Sequence, residues 1–322
     1  MRIESPEATP YRPPSERGSI LLRVTRNCWW DECRFCGMYK GKRFEIIGVG
    51  EVKKNIDKWG VVIKNINEDD EYRDIWNHLI GPYISPSHRT VFIGDSDSLM
   101  RRTSQMVEIL EYLHERIPGI ERVTSYARAA TLVRKKPKEL KEINEAKLNR
   151  LHVGLETGYD PLLEYMEKGA TSEEMILAGR KAKEAGYELC EYVILGLGGK
   201  KWTEYHAKAT AKVLNQINPD HVRFRTLIPR PNAPLFQDYT SGRLELLSPH
   251  ETLREARTMI EGLDVESTLY FDHNSNPIPP HSQGHEYKLP EQKEDVLGVI
   301  EIALTMDESK LPNVKSLIHG LV

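Results

Sequence analysis

Cysteine is scarce in this 322-residue sequence, with four in all. Disulfide frameworks belong to small, cysteine-dense secreted domains, so that class is excluded. No run of about 18 apolar residues occurs, and no membrane-spanning helix is expected. The opening stretch, MRIESPEATPYRPPSERGS, is polar and lacks the apolar core of a secretion signal, which leads us to expect a cytoplasmic protein. Charge of one sign is also missing. With 45 Lys and Arg against 48 Asp and Glu, the net charge is −3, and neither nucleic acid nor a membrane is expected as a partner.

A rhythm of strands and helices is present. ILLRVT (20–25), TVFIG (90–94), ERVTSY (121–126), NRLHVGLE (149–156), ELCEYVILGL (188–197) and DHVRFRTL (220–227) read as strands. Between them lie helical patterns, such as Met106, Ile109, Leu110, Leu113 and Ile117 on one face. From Val91 onward the strands recur about every thirty residues, the length of a βαβ crossover unit. The expected fold is α/β: a partial (β/α)6 TIM-like barrel of parallel strands with helices outside. An N-terminal arm (1–19) precedes the barrel (20–235). A helical and loop extension (236–322) packs on it, with helices near 249–262 and 291–304 and no strand pair. The charged and aromatic stretch 50–79 reads as helix with an irregular exit at GPYISPSH, and a helix is expected over 203–217.

Three of the four cysteines crowd into Cys28-Trp-Trp-Asp-Glu-Cys33-Arg-Phe-Cys36, directly after the first strand. Three thiolates can ligate three irons of a [4Fe-4S] cube and leave the fourth iron open to a small chelating molecule. Zinc is the alternative, although structural zinc sites usually close with four ligands in two pairs. Three inert structural thiols are the remaining possibility. Cys190 lies in a different strand and reads as a small core residue.

The loop resembles that of the radical S-adenosylmethionine (radical SAM) family, C-x3-C-x-φ-C, with one extra residue between the first two cysteines and Phe35 as φ. Gly94-Asp95-Ser96-Asp97 stands where the family often carries Gly-Gly-Glu. HVGLETGYDPLLEYMEKGAT resembles the branch containing coproporphyrinogen III oxidase-like and methylthiotransferase-like enzymes. YVILGLGG resembles the element G-x-I-x-G-x-x-E, whose final Glu is absent here. The resemblance covers Tyr11 to about Leu235. It implies a [4Fe-4S] cluster on Cys28, Cys33 and Cys36, and S-adenosylmethionine (SAM) contacted by Phe35, Gly94, Asp95 or Asp97, Glu156 and Gly196. It also implies reductive cleavage of SAM to a 5′-deoxyadenosyl radical that abstracts hydrogen, and an electron donor such as flavodoxin or ferredoxin.

Strand alternation turns Arg223 and Arg225 inward, along with His152 and Glu156. A buried guanidinium needs a carboxylate or an anionic ligand. A small anionic substrate is one candidate, and an internal ion pair of Arg225 with Glu156 or Glu191 is the other. Arg128, just past the third strand, sits where barrels place functional residues. Tyr39, Lys40 and Arg43 follow the cysteine loop; His273, His281 and His285 lack regular ligand spacing. GLGG (196–199) lacks the dinucleotide-binding spacing. Two further readings stay open: a tRNA- or protein-modifying radical SAM enzyme, and a non-catalytic iron–sulfur or zinc module.

Overall fold

A computed structural model gives the fold and describes residues 6–9, 11–68, 90–279, 282 and 284–319. The GPYISPSH exit and His281 lie outside these residues. An eight-stranded, mostly parallel sheet runs in the order β1-β4-β5-β6-β7-β8-β9-β10. The chain divides into two compact units, the first comprising 1–29, 42–152 and 184–188, the second 30–41, 153–183 and 189–322.

In the first unit, β1 (Ile20–Arg23) pairs in parallel with β4 (Thr90–Gly94), and β4 with β5 (Arg122–Ala127). The first expected strand is in fact two. It ends at Arg23, and β2 (Thr25–Arg26) then pairs antiparallel with β3 (Glu45–Ile46) in a separate two-stranded ribbon. That ribbon closes the base of the loop carrying the cysteines. Helix α1 (Val49–Glu68) covers residues 50–68 of the expected 50–79 helix; the rest lies outside the described residues. Helix α2 (Thr103–Arg116) buries Met106, Ile109, Leu110 and Leu113 at 3.6-residue spacing. Helices α3 (Ala129–Arg134) and α4 (Pro137–Glu145) follow β5, and Pro137 suits the first helical turn, where no N–H is needed.

Strand β6 (Arg150–Glu156) begins in the first unit and ends in the second. There follow α5 (Asp160–Tyr165), α6 (Ser172–Glu184), β7 (Glu188–Leu195), α7 (Gly199–Ile217) and β8 (His221–Thr226). Helix α7 starts four residues before the expected Thr203 because Gly199, at φ +54°, opens it from a left-handed conformation. The extension holds α8 (Leu235–Thr240), α9 (Pro249–Glu261), α10 (Lys293–Thr305) and α11 (Val314–His319). The expected absence of strands beyond 235 is corrected: β9 (Thr268–Tyr270) adds in parallel to β8, and β10 (Glu286–Lys288) pairs antiparallel with β9. At three residues each, neither is long enough for a period of two to show in sequence.

Register sorts the side chains of β7 and β8. Glu191, Val193 and Leu195 share a face with Val222, Phe224 and Thr226, whereas Cys190, Tyr192 and Ile194 share the other with His221, Arg223 and Arg225. Glu191 therefore lies opposite Arg225 and is not its ion-pair partner. Its Oε2 has no hydrogen-bond partner, the side chain is fully buried, and burial pushes its pKa well above the ordinary 4.5, with Lys168 pulling down and Glu156 pushing up. The folded protein keeps a proton that the unfolded chain sheds above the ordinary value, so stability from this site falls as pH rises through it. Glu191→Leu is therefore expected to raise Tm, and to raise it more at about pH 8 than at about pH 5. Equal shifts at both pH values in thermal melts would refute this.

Candidate active site

The loop from Asn27 to Phe44 is held on both flanks of Cys28 by the exit of β4. Asp95 is fully buried; Oδ2 accepts the Asn27 N–H at 2.7 Å and the Arg23 guanidinium, and Oδ1 accepts the Thr9 hydroxyl at 2.7 Å. The Ser96 hydroxyl donates to the Asn27 carbonyl at 3.0 Å. Asp97, also fully buried, takes the Trp29 indole N–H at 2.6 Å, the Thr131 hydroxyl at 2.5 Å and the Arg128 N–H at 3.4 Å. Burial raises the Asp97 pKa, and the hydrogen bonds from Thr131 and Trp29 and the charge of Arg128 oppose that rise. Three consecutive residues of the β4 exit thus grip the residues immediately before and after Cys28. The guanidinium groups of Arg128 and Arg134 lie 5.4 and 5.3 Å from the Trp29 ring centroid.

The arm contributes Glu7, which binds Arg23 at 3.0 Å and Arg26 at 2.6 Å; Arg26 also reaches Glu45 and Glu51. Gly94 is required because a Cβ there would stand 2.3 Å from Thr9 Oγ1. His152, deep in β6, lies 3.8 Å from Glu16 and edge-on to Tyr126 and Phe92.

In the second unit the other cysteines are held by the residues between and around them. Cys33 is buried and Cys36 half-buried, and the Cys36 N–H turns back to the Cys33 carbonyl at 3.2 Å. The Arg34 N–H donates to the Met166 carbonyl at 3.0 Å, its carbonyl accepts the Leu235 N–H at 2.8 Å, and its guanidinium bonds Asp238 at 2.5 Å. Burial pushes the Asp238 carboxyl up, but Tyr165, Arg243 and Arg34 outweigh it and hold it low. Asn232 donates to the Gly37 carbonyl at 2.6 Å, and a Cβ at Gly37 would stand 2.1 Å from Asn232 Oδ1.

Phe35 packs on the apolar cluster of Leu162, Met166 and Leu235, with Lys168 Nζ 5.8 Å from its ring centroid. Lys168 pairs with Glu156 at 2.9 Å. The Trp30 indole donates to the Glu167 carbonyl at 2.8 Å, and its ring lies against Gly169, where φ is +70° and a Cβ would stand 2.4 Å from the indole. Gly169→Ala is expected to cost more than about 2 kcal/mol, left-handed strain and overlap together. Urea unfolding with an unchanged midpoint would contradict this contact.

Among the described residues, no three His, Cys, Asp or Glu side chains converge as the ligands of one metal ion would. In an iron–sulfur cube each thiolate takes its own iron. Three thiols on one held loop are a donor set that fits a cluster.

The sequence profile of the Radical SAM superfamily matches residues 22–210, more than half of the chain, including the cysteine loop and the β4 exit beside it. The protein belongs to the radical SAM superfamily. The heme chaperone HemW of Bacillus subtilis (strain 168) is 24% identical over 162 residues, covering 50% of this chain and 42% of HemW. The tRNA-2-methylthio-N(6)-dimethylallyladenosine synthase of Nitrosospira multiformis is 30% identical over 154 residues, 46% of this chain and 30% of that one. The match thus spans less than half the length of either curated relative. Among solved structures, coproporphyrinogen III oxidase (HemN) of Escherichia coli aligns at 16% identity and TM-score 0.49, over 76% of this chain and 52% of that one. Methylornithine synthase (PylB) aligns at 15% identity and TM-score 0.48, over 95% and 87%.

Membership in the radical SAM superfamily implies an iron–sulfur cluster and SAM. No helix among the described residues is long and apolar enough to cross a membrane. The inward arginines of β8 are engaged: Arg223 pairs with Asp272 and stacks 3.9 Å from the Tyr270 ring centroid, and Arg225 lies 4.9 Å from that of Tyr192. His273 is hydrogen-bonded to Ser275 at 2.6 Å, and its pKa falls to about 4, mainly through burial. Gly196, at φ +73°, gives its N–H to Glu255 at 2.6 Å. Asp238, Lys168, the two tryptophans and Glu255 were not singled out from sequence. Only the Trp-Trp pair inside the enlarged cysteine spacing offered a signal, since two bulky residues in so short a loop must pack somewhere.

Proposed function

We propose that Cys28, Cys33 and Cys36 ligate a [4Fe-4S] cluster and that the enzyme cleaves SAM reductively to start hydrogen abstraction from a small anionic substrate. The observation that carries this reading is the grip of Asp95, Ser96 and Asp97 on both neighbours of Cys28. When bound, the cluster supplies the electron that breaks a sulfonium C–S bond of SAM, and a protein such as flavodoxin or ferredoxin supplies that electron in turn.

The rest is done by the chain. Cys28, Cys33 and Cys36 fix the cluster. On this reading Phe35 and the Gly196 backbone take the adenine and Glu156 the ribose, with Lys168 holding its carboxylate. Asp95 and Asp97 are filled by protein donors, so on this reading their role is to hold the loop, and the Gly94 backbone is left for the methionine end. Arg225 and Arg128 are the cations assigned to substrate or SAM carboxylate; Arg223 and His152, paired with Asp272 and Glu16, orient their strands. The test is anaerobic reconstitution with iron and sulfide, then addition of dithionite and SAM. Formation of 5′-deoxyadenosine supports the reading, and an iron-loaded protein that forms none refutes it.

A further inference from the structure

Helix α9 lies outside the matched residues 22–210, yet it sends one carboxylate to the strand exits that the proposed function assigns to SAM. Glu255 is buried. Its Oε1 accepts the Gly196 N–H at 2.6 Å, and its Oε2 accepts the Thr203 hydroxyl at 2.6 Å. The imidazole of His206, fully buried on α7, places Nε2 3.7 Å from Glu255 Oε1 and Nδ1 2.7 Å from Thr157 Oγ1. Thr157 follows Glu156 and also accepts the Tyr159 N–H at 3.1 Å. Beside it, Thr210 accepts the Gly158 N–H at 2.9 Å and lies 3.3 Å from His206 Nδ1. His206 Nε2 has no hydrogen-bond partner among the described residues, so two buried polar groups, one at the exit of β6 and one at the exit of β7, lie side by side rather than hydrogen-bonded to each other.

Burying a carboxylate in this layer is costly, and it persists only where its hydrogen bonds are needed. The loop after β7 cannot supply its own acceptor. A Cβ at Gly199 would stand 2.5 Å from the Glu245 carbonyl oxygen, and one at Gly198 would stand 2.8 Å from Trp202 Cβ. With no polar side chain in the turn Gly196–Gly199, the acceptor for Gly196 comes from a helix some sixty residues on.

We propose that Glu255 and His206 are positioning residues for SAM, Glu255 fixing the Gly196 peptide and His206 fixing the Thr157–Tyr159 turn, so that both backbone segments are preset for the nucleoside. This rests on the proposed function. Burial supports it: Glu255 is pushed up to about 7 and His206 pulled down to about 4, leaving the imidazole neutral. The charge on Glu255 is present above neutrality and lost in mild acid. Lys200 and Glu204 from α7, and Glu251 and Arg254 from α9, face it across a cavity of about 250 Å³.

The experiment measures the SAM dissociation constant of cluster-loaded protein by anaerobic calorimetry, for wild type and Glu255→Gln. At about pH 8 the variant is expected to bind SAM about tenfold more weakly, the loss of one charge-assisted hydrogen bond, with unchanged iron and sulfide. Wild-type affinity is expected to weaken from about pH 8 to about pH 6 and the variant's to change less, since the titration of SAM itself is common to both. Equal affinity and equal slopes overturn the inference. Should the variant fail to fold, wild-type affinity that stays flat across that range overturns it. A loaded wild type that binds no SAM removes the proposed function as well, whereas tight wild-type binding with an indifferent variant removes this inference alone.

Discussion

Cys33→Ala is expected to abolish SAM cleavage outright. Cys33 is the buried member of the trio, and Arg34 beside it is fixed through its N–H, its carbonyl and its guanidinium. A cube held at two corners would lose iron, and with it the relay that would carry the electron to SAM. Cys28→Ala and Cys36→Ala should behave alike. Cys190→Ala is the control: that residue is buried on β7 in register with His221, and its loss should leave iron content and cleavage intact. The measurement is iron and sulfide per chain together with 5′-deoxyadenosine formed. Normal iron in Cys33→Ala would refute the ligand assignment.

The second large effect concerns stability and iron together. Asp95→Ala removes a fully buried carboxylate that faces Arg23, Thr9 and the Asn27 N–H. Breaking one side of a buried ion pair leaves the other charge uncompensated, at a cost of about 3–5 kcal/mol. Glu7 still faces Arg23, which places the expected loss at the lower end of that range. The Asn27 N–H is also released, so Cys28 should hold iron less completely than in the wild type. Urea unfolding gives the first number and iron analysis the second. A variant as stable as wild type, with full iron, would show that the β4 exit does not hold the loop. Asp97→Asn is the gentler companion, because an amide can still accept the Trp29 N–H.

The parallel strands and their helices were legible because the strands from β1 to β8 in the main sheet run over four to eight residues, and α2 repeats its apolar positions at the helical period. The cysteine loop was legible through spacing alone. What escaped was everything carried by contact between distant residues. The resemblance implies Asp95 or Asp97 as a SAM contact, yet their oxygens accept hydrogen bonds from Thr9, Asn27, Trp29 and Thr131. Arg225 invited Glu191 as a partner, but one residue of register puts the two on opposite faces. Glu255 sits in an ordinary amphipathic helix, and nothing in its neighbours marks it as the acceptor for Gly196. Strands β9 and β10 are too short to show a period.

On the proposed function, three cysteines hold a cluster and leave one iron for SAM. Mössbauer spectroscopy of protein reconstituted with ⁵⁷Fe separates that iron from the rest. Adding SAM is expected to change the isomer shift of one iron in four and leave the other three alone. Four irons that remain equivalent in the presence of SAM, or a protein that takes up zinc in place of iron under the same conditions, would contradict it.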